Sequence, residues 1–405
     1  MYSRGVGVSE ERRKLKKAYS AIFMLGLVSL FGDIVYEGSR GIIPDYLKYL
    51  GASAFIVGAV MGLGEFISYA SRLAGGIIAD KYRSYWPLVF IGYGLIIALP
   101  LLSLPEVWGG WILAAALIIL ERLGKGLRTP ARDTIISFAS KTLGRGKAFG
   151  IHELLDQIGA VLGPLALAAI MATTYSYHLA FTFLIVPYIL LMTTLALVYN
   201  SLKVYGEPPP KPKEGGKGVM DRSTMLYILA ITLNTIGLFP ASLILYQASK
   251  LVEAGILGAW FVPVLYAGIQ LIDAPLALIT GIIYDKIGLT MLFTPFVATI
   301  LIAPLAFQGD LVSILLAAAI FGFVLGTKES VYRAAVADLS PPHVRATAYG
   351  VLNTAIGAGA LLAGAVYGYL IDVSAPTYLV IVVAIGTQIA ATSILALLIK
   401  GKPKS

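Results

Sequence analysis

The chain contains no cysteine, which removes disulfides, thiol catalysis and thiolate metal sites at once. Histidine is nearly as scarce. His152, His178 and His343 lie on separate segments, and only His152, one turn before Asp156, leaves a metal-ligand reading open. Nucleotide and hydrolase signatures are missing as well. The stretch GLGKGLRTP around Gly126 lacks the G-x-x-x-x-G-K-[ST] spacing of a phosphate loop. Neither H-E-x-x-H nor G-x-S-x-G occurs. An ATP-driven pump and an enzyme are therefore disfavoured, and no cofactor or bound metal is expected. Charge itself is thin. Charged residues make up 13% of the chain against about 25% in soluble domains. Hydrophobic residues reach 58% and mean hydropathy +0.83, more apolar surface than a soluble fold can bury.

What is present is a succession of long apolar runs. Segments at 18–49, 52–79, 85–104, 108–133, 147–172, 176–200, 223–250, 256–284, 289–308, 310–338, 344–371 and 375–399 are each long enough to cross a ~30 Å hydrocarbon core at ~1.5 Å per residue. The fold expected is an all-α membrane protein with twelve transmembrane helices. The Pro-, Gly- and Lys-rich stretch 201–222 has no apolar period and reads as an exposed linker. It separates bundles at 18–200 and 223–400. The stretch 1–17 is expected to be an amphipathic lead-in at the membrane surface rather than a signal peptide, and 401–405 a short tail.

The net charge of +9 does not require nucleic acid. Lysine and arginine collect on one set of links, including Arg12, Arg13, Lys81, Lys141, Arg145, Lys203, Lys286, Arg345 and Lys400, whereas the opposite links hold little beyond Lys48 and Lys250. The positive-inside bias predicts a multi-pass protein of the cell membrane with both termini and the linker in the cytoplasm.

The halves echo each other. Gly76-Ile-Ile-Ala-Asp80-Lys81 returns as Gly281-Ile-Ile-Tyr-Asp285-Lys286, and Arg132 through Arg145 to Gly150 returns as Arg333 through Arg345 to Gly350 with one residue fewer. The result is two pseudo-symmetric six-helix bundles. Over essentially its full length the chain resembles the major facilitator superfamily. Gly76 to Lys81 is similar to that family's signature loop, although Arg83 and Ser84 stand where a glycine and a basic residue are expected. Arg122-Leu-Gly-Lys125-Gly126 is similar to its fourth-helix motif. Gly159-Ala-Val-Leu-Gly163-Pro164 is similar to the fifth-helix motif of its antiporters. The resemblance implies alternating access. It also implies gating by Gly76, Asp80, Lys81, Arg122, Arg128, Arg132, Asp133, Gly159, Gly163, Pro164, Gly281, Asp285 and Lys286.

Ionisable residues at membrane depth are costly and so mark function by default. Asp33, Glu37, Arg40 and Pro44 share one face of the first helix. They either line a cavity or form an internal Glu37–Arg40 or Asp33–Arg40 pair. Glu121, Lys125, Arg128 and Arg132 repeat that stripe on the fourth, where Lys125 is the expected partner of Glu121. His152, Asp156, Gly159 and Gly163 share a face of the fifth, whose glycines serve either packing or the closing of bundles. Proton-coupling candidates are Asp33 and Asp156, then Glu37, with Glu65, Glu121 and Glu153. The substrate cavity is expected to draw on Tyr36, Arg40, Lys125, His152, Asn234, Gln270, Asp273, Lys328, Tyr332 and Asn353. Glu329 and Arg333 could pair at i, i+4. The second copy of the fifth-helix stretch has Asn353 and Ile356 where the first has Glu153 and Asp156, which assigns ion coupling to the N-terminal half. The expected function is proton-coupled export of a small organic molecule by a monomer. The alternatives are a symporter or uniporter, a metal-ion carrier and, more distantly, a membrane scaffold or receptor.

Overall fold

A computed structural model describes residues 3–82, 85–139, 145–202, 220–341 and 344–400; the side chains of residues 3–18, 80, 138–149 and 346 lie outside that description. Among the described residues every regular element is a helix. The N-terminal half comprises α1 (Ser3–Tyr49), α2 (Ala54–Tyr82), α3 (Tyr85–Gly94), α4 (Gly110–Ala139), α5 (Arg145–Thr174), α6 (Tyr177–Phe183) and α7 (Ile185–Leu202). The C-terminal half comprises α8 (Arg222–Gly237), α9 (Ala241–Glu253), α10 (Phe261–Ile287), α11 (Phe293–Gln308), α12 (Leu311–Leu339), α13 (Arg345–Asp372) and α14 (Thr377–Lys400). The expected lead-in continues α1 without a break.

Three expected spans are interrupted. The third passes from α3 into two short 3-10 turns that end at Ser103. The sixth breaks at Leu184 because Pro187 has no N–H to give the Phe183 carbonyl, and α6 is started separately by Ser176, whose hydroxyl caps Leu179 N–H at 3.2 Å. The seventh breaks at Leu238, where Pro240 holds the preceding residue out of the helical region.

Ten segments are long and apolar enough to cross a bilayer. One of them, Phe261–Gln308, contains both α10 and α11. The helix missing from the ten is α4, whose middle carries Glu121, Arg122, Lys125 and Arg128. With these two adjustments the spans number twelve. Residues 49–54, 103–110, 174–177, 253–261, 308–311 and 372–377 then share one face of the bundle, called here the far face. Leu202 and Arg222, which flank the linker, lie on the other, called here the linker face.

Packing repeats between halves. α2 lies on α4 as α10 lies on α12, and α1 on α7 as α8 on α14. The halves meet through α2 against α13 over a long stretch and through α5 against α10 over a shorter one. One continuous apolar core runs through the N-terminal half and across the far face into Leu238–Leu251, Phe261–Ile269 and Ala363–Ile371. The linker side of the C-terminal half has a separate core around Tyr227, Phe296, Tyr332 and Leu395. The halves therefore share one core on the far side, whereas on the linker side the C-terminal half has its own core, which α2 touches through Tyr69.

Candidate functional site

A cavity of about 670 Å³ lies between the halves and extends from mid-helix toward the linker face. Its N-terminal wall is a charge network. Glu37, 6% exposed, accepts a hydrogen bond from Tyr266 of α10 and one from Arg40 at 3.2 Å, with Lys125 Nζ 3.8 Å away. Arg40 also pairs with Glu65. Arg122 lies 3.8 Å from Glu65 and 3.2 Å from Glu121, and Arg128 reaches Glu121 at 3.7 Å and the Gly92 carbonyl at 3.2 Å. Each charge is thus offset by an opposite one, the condition under which charges persist in a low-dielectric interior.

Several expected partners change. Glu121 is fully buried behind the wall and pairs with Arg122 and Arg128. Lys125 is turned to the cavity, over the Tyr36 ring at 4.2 Å. Of the two pairs expected on α1, Glu37–Arg40 forms and its members still line the cavity.

Asp33 and Asp156 stand apart from that network. Glycines bring α5 onto α1. A Cβ at Gly159 would sit 2.5 Å from the Leu30 carbonyl oxygen and 2.8 Å from Asp33 Cβ, and one at Gly163 would sit 2.6 Å from the Ile34 carbonyl oxygen. This glycine face meets a helix of its own bundle rather than the opposite bundle. The close crossing puts the Asp33 and Asp156 carboxyls side by side with the Tyr36 hydroxyl adjacent. Asp33 is 2% exposed, and among the described residues neither aspartate has a lysine or arginine nitrogen within 4.0 Å. One Asp156 oxygen is buried without a partner. One turn away, His152 is off the cavity wall, its Nε2 on the Ser29 hydroxyl at 2.9 Å. Glu153 faces the cavity beside Gln157. Among the described residues no group of three or more His, Asp or Glu is placed to hold a metal ion.

The C-terminal wall carries Tyr266, Gln270 and Asp273 on one face of α10, Lys328, Glu329, Tyr332 and Arg333 on α12, and Asn353 on α13. Gln270 and Asp273 are both buried, each with an oxygen that has no partner. Asn234, expected on the wall, is instead inside the bundle. It accepts from Tyr332 at 2.7 Å and donates to Gln388 at 2.9 Å, and Gln388 donates back to the Asn234 carbonyl at 3.1 Å. An amide buried among neighbouring helices is satisfied by them, not by a cavity. Glu329 and Arg333 share no ion pair among those described. The linker-side mouth gathers Arg72, Lys328 and Arg333 around Tyr69. Arg72 lies 4.8 Å and Lys328 5.9 Å from its ring centre, and none of the three cations has a carboxylate within 4.0 Å among the described residues.

Of the expected gate residues, Arg132 pairs with its neighbour Asp133 at 3.0 Å, Lys81 lies over the Tyr82 ring, and Asp285 and Lys286 are exposed. Gly76 and Gly281 face Pro130 and Ser330, and Pro164 packs against Gly41. The Asp80 side chain falls outside the described residues. The ties between halves lie elsewhere. Asp372 at the end of α13 accepts the Ala54 and Phe55 N–H groups at 2.8 and 2.9 Å, capping α2, and Lys48 pairs with Glu253 at 2.6 Å. Both are on the far face. Sequence reasoning missed Asp372 because its partner is 318 positions away.

The profile of the Major Facilitator Superfamily matches residues 22–364. An uncharacterized protein of Mycobacterium tuberculosis is 34% identical over 386 residues, 92% of each chain. An uncharacterized MFS-type transporter of Methanocaldococcus jannaschii is 31% identical over 379 residues, covering 90% of this chain and 91% of its own. Multidrug resistance protein MdtH of Photorhabdus laumondii is 32% identical over 120 residues, 30% of this chain and 29% of its own. The crystal structure of a peptide transporter with alafosfalin superposes with a TM-score of 0.72 at 18% identity, over 96% of this chain and 98% of that one.

Proposed function

The chain belongs to the Major Facilitator Superfamily, and on that premise we propose that it exports a small organic molecule across the cell membrane in exchange for protons. The observation that carries the reading is the Asp33–Asp156 pair. Two carboxyls side by side, with no lysine or arginine nitrogen within 4.0 Å among the described residues and the nearby Arg132 already held by Asp133, repel when both are ionised, so one proton held between them relieves the repulsion. Glu37, Glu65 and Glu121 are already balanced by arginine or lysine, and Glu153 is exposed, which leaves this pair as the buried proton carrier of the N-terminal half. Tyr36 lies within electrostatic reach of the pair and of Glu37, and Glu37 accepts a hydrogen bond from Tyr266 across the cavity. A change of charge at the pair is thereby felt at the contact between halves.

The basic linker side is taken as cytoplasmic, and the cavity then faces inward while the far face is shut by Asp372 and Lys48. The partial likeness to a multidrug resistance protein supports export, as does the glycine motif on α5. The acting unit is taken as one chain.

The test is a ligand-stabilisation screen on purified protein, followed by flux of each stabilising compound in proteoliposomes with and without an imposed pH gradient. Gradient-driven flux is expected, and Asp33→Asn should abolish the drive while leaving ligand stabilisation in place. Equal flux with and without a gradient would favour a uniporter, and no flux for any stabilising ligand a receptor or scaffold.

A further inference from the structure

The N-terminal wall pairs Arg40, Arg122, Lys125 and Arg128 with carboxylates. Against that thoroughness, three cations at one spot with no carboxylate within 4.0 Å among the described residues need an explanation, because like charges gathered from two halves repel. Arg72 comes from α2, in one half, and Lys328 and Arg333 from α12, in the other. Tyr69 stands between them, with Arg72 and Lys328 each close to its ring. A guanidinium stacked on an aromatic ring keeps its N–H edge free to fork onto an oxyanion, and the Arg72 Nε is buried without a partner. The carboxylates that act on the cluster electrostatically, Asp133 on α4, Asp273 on α10 and Glu329 on α12, stay beyond ion-pair distance of the three cations.

We propose that this cluster binds the anionic group of the transported molecule, a carboxylate, phosphate or sulfonate, and that the anion draws the linker sides of the two halves together. The proposal rests on the transporter reading and names its substrate class as organic anions. With the site empty, Arg72 repels Lys328 and Arg333 across the divide and holds the linker face open. An anion shared among them converts that repulsion into attraction, so closure follows loading.

The probe is inorganic phosphate, titrated into the purified full chain in detergent against sodium chloride at matched ionic strength. Two readouts run together. One is the melting temperature; the other is the distance between spin labels on Tyr82→Cys and Ile287→Cys, at the linker-face ends of α2 and α10. Phosphate should raise the melting temperature beyond the chloride control and shorten the distance. Arg333→Gln, at an exposed position tolerant of change, and Lys328→Gln should each weaken the phosphate response about tenfold or more. Arg72→Gln should do the same if it folds. A parallel titration with dihexanoyl phosphatidylglycerol distinguishes a lipid headgroup from a free solute as the source of the anion. A phosphate effect no greater than that of chloride, or one that survives both α12 substitutions, overturns the proposal. Gradient-driven flux of a screened compound that persists in Arg333→Gln with no phosphate response would sink this inference and leave proton coupling standing. A phosphate response with the expected variant pattern and no gradient-driven flux would do the reverse.

Discussion

The crossing of α5 on α1 and that of α13 on α8 are one design used twice. A Cβ at Gly159 would strike Leu30 and Asp33; one at Gly359 would lie 3.0 Å from Thr235 Cβ and 3.2 Å from the Thr232 carbonyl oxygen. The backbone approach repeats, but the side chains beside it do not. Asp33 faces Asp156 in the first crossing, where the second has Thr235 and Ile356. Deeper in each bundle the contrast continues. The N-terminal half satisfies its buried polar groups with ion pairs, and the C-terminal half with the neutral Asn234–Gln388–Tyr332 network. Neutral amides hold a bundle together whatever the state of ionisation. Charges make it respond. The comparison teaches that the duplicated crossing is indifferent to the side chains beside it, since a carboxyl pair flanks it in one copy and a threonine and an isoleucine in the other.

The sharpest way to break the comparison is to remove one buried ion partner. Glu121→Gln leaves Arg128 without its carboxylate and Arg122 with Glu65 alone and should cost about 3–5 kcal/mol, whereas Gln388→Leu loses amide hydrogen bonds worth about 1–3 kcal/mol. Thermal unfolding of both variants in one detergent checks the order. Next come the glycines. Gly159→Val and Gly359→Val both overpack a crossing, at about 1–3 kcal/mol each, but only the first should also uncouple flux from a pH gradient. If both uncouple equally, the two crossings are not distinct in function.

Smaller again is the far-face cap. Asp372→Ala removes an anion from the start of α2, worth about 0.3–1 kcal/mol. It should widen the distance between spin labels on Val107→Cys and Ile256→Cys in a fraction of molecules. Smallest is the cap on α12, which has no side-chain counterpart at Gly110 of α4. The Ser313 hydroxyl and its N–H hold the Asp310 carboxyl below its ordinary value. A carboxyl depressed by folding contributes stability that is present above its unfolded pKa and fades as pH falls toward the folded one. Melting temperature should therefore drop slightly less between neutral and acid pH in Asp310→Asn than in the parent.

Much of the fold is legible in the sequence because hydrophobic length and repeat report it directly. The twelve spans and the two halves follow from apolar runs and from the echo of Gly76–Lys81 in Gly281–Lys286. Breaks inside spans were less legible. Pro187 and Pro240 end helices, whereas Pro130, Pro164, Pro275 and Pro304 are carried within them, and only tertiary packing decides which. Within the site, helical spacing places Asp33 and Asp156 each on a named face, but their juxtaposition depends on how two helices rotate about Gly159. The true partners of Glu121, the burial of Asn234 and the Asp372 cap are contacts between distant segments, for which local pattern carries no signal.

The charge that keeps α4 out of the set of plainly apolar helices also bears on how the chain enters the membrane. Each charged residue at mid-helix opposes insertion by about 2.5–3.5 kcal/mol, so α4 on its own is a poor candidate to leave water. Glu37 on α1 and Glu65 on α2, which meet Lys125 and Arg122, are both made before it. Those carboxylates precede α4 in the chain, so its basic residues meet partners already made, and the ion pairs of the cavity wall offset part of the cost of placing α4 in the membrane.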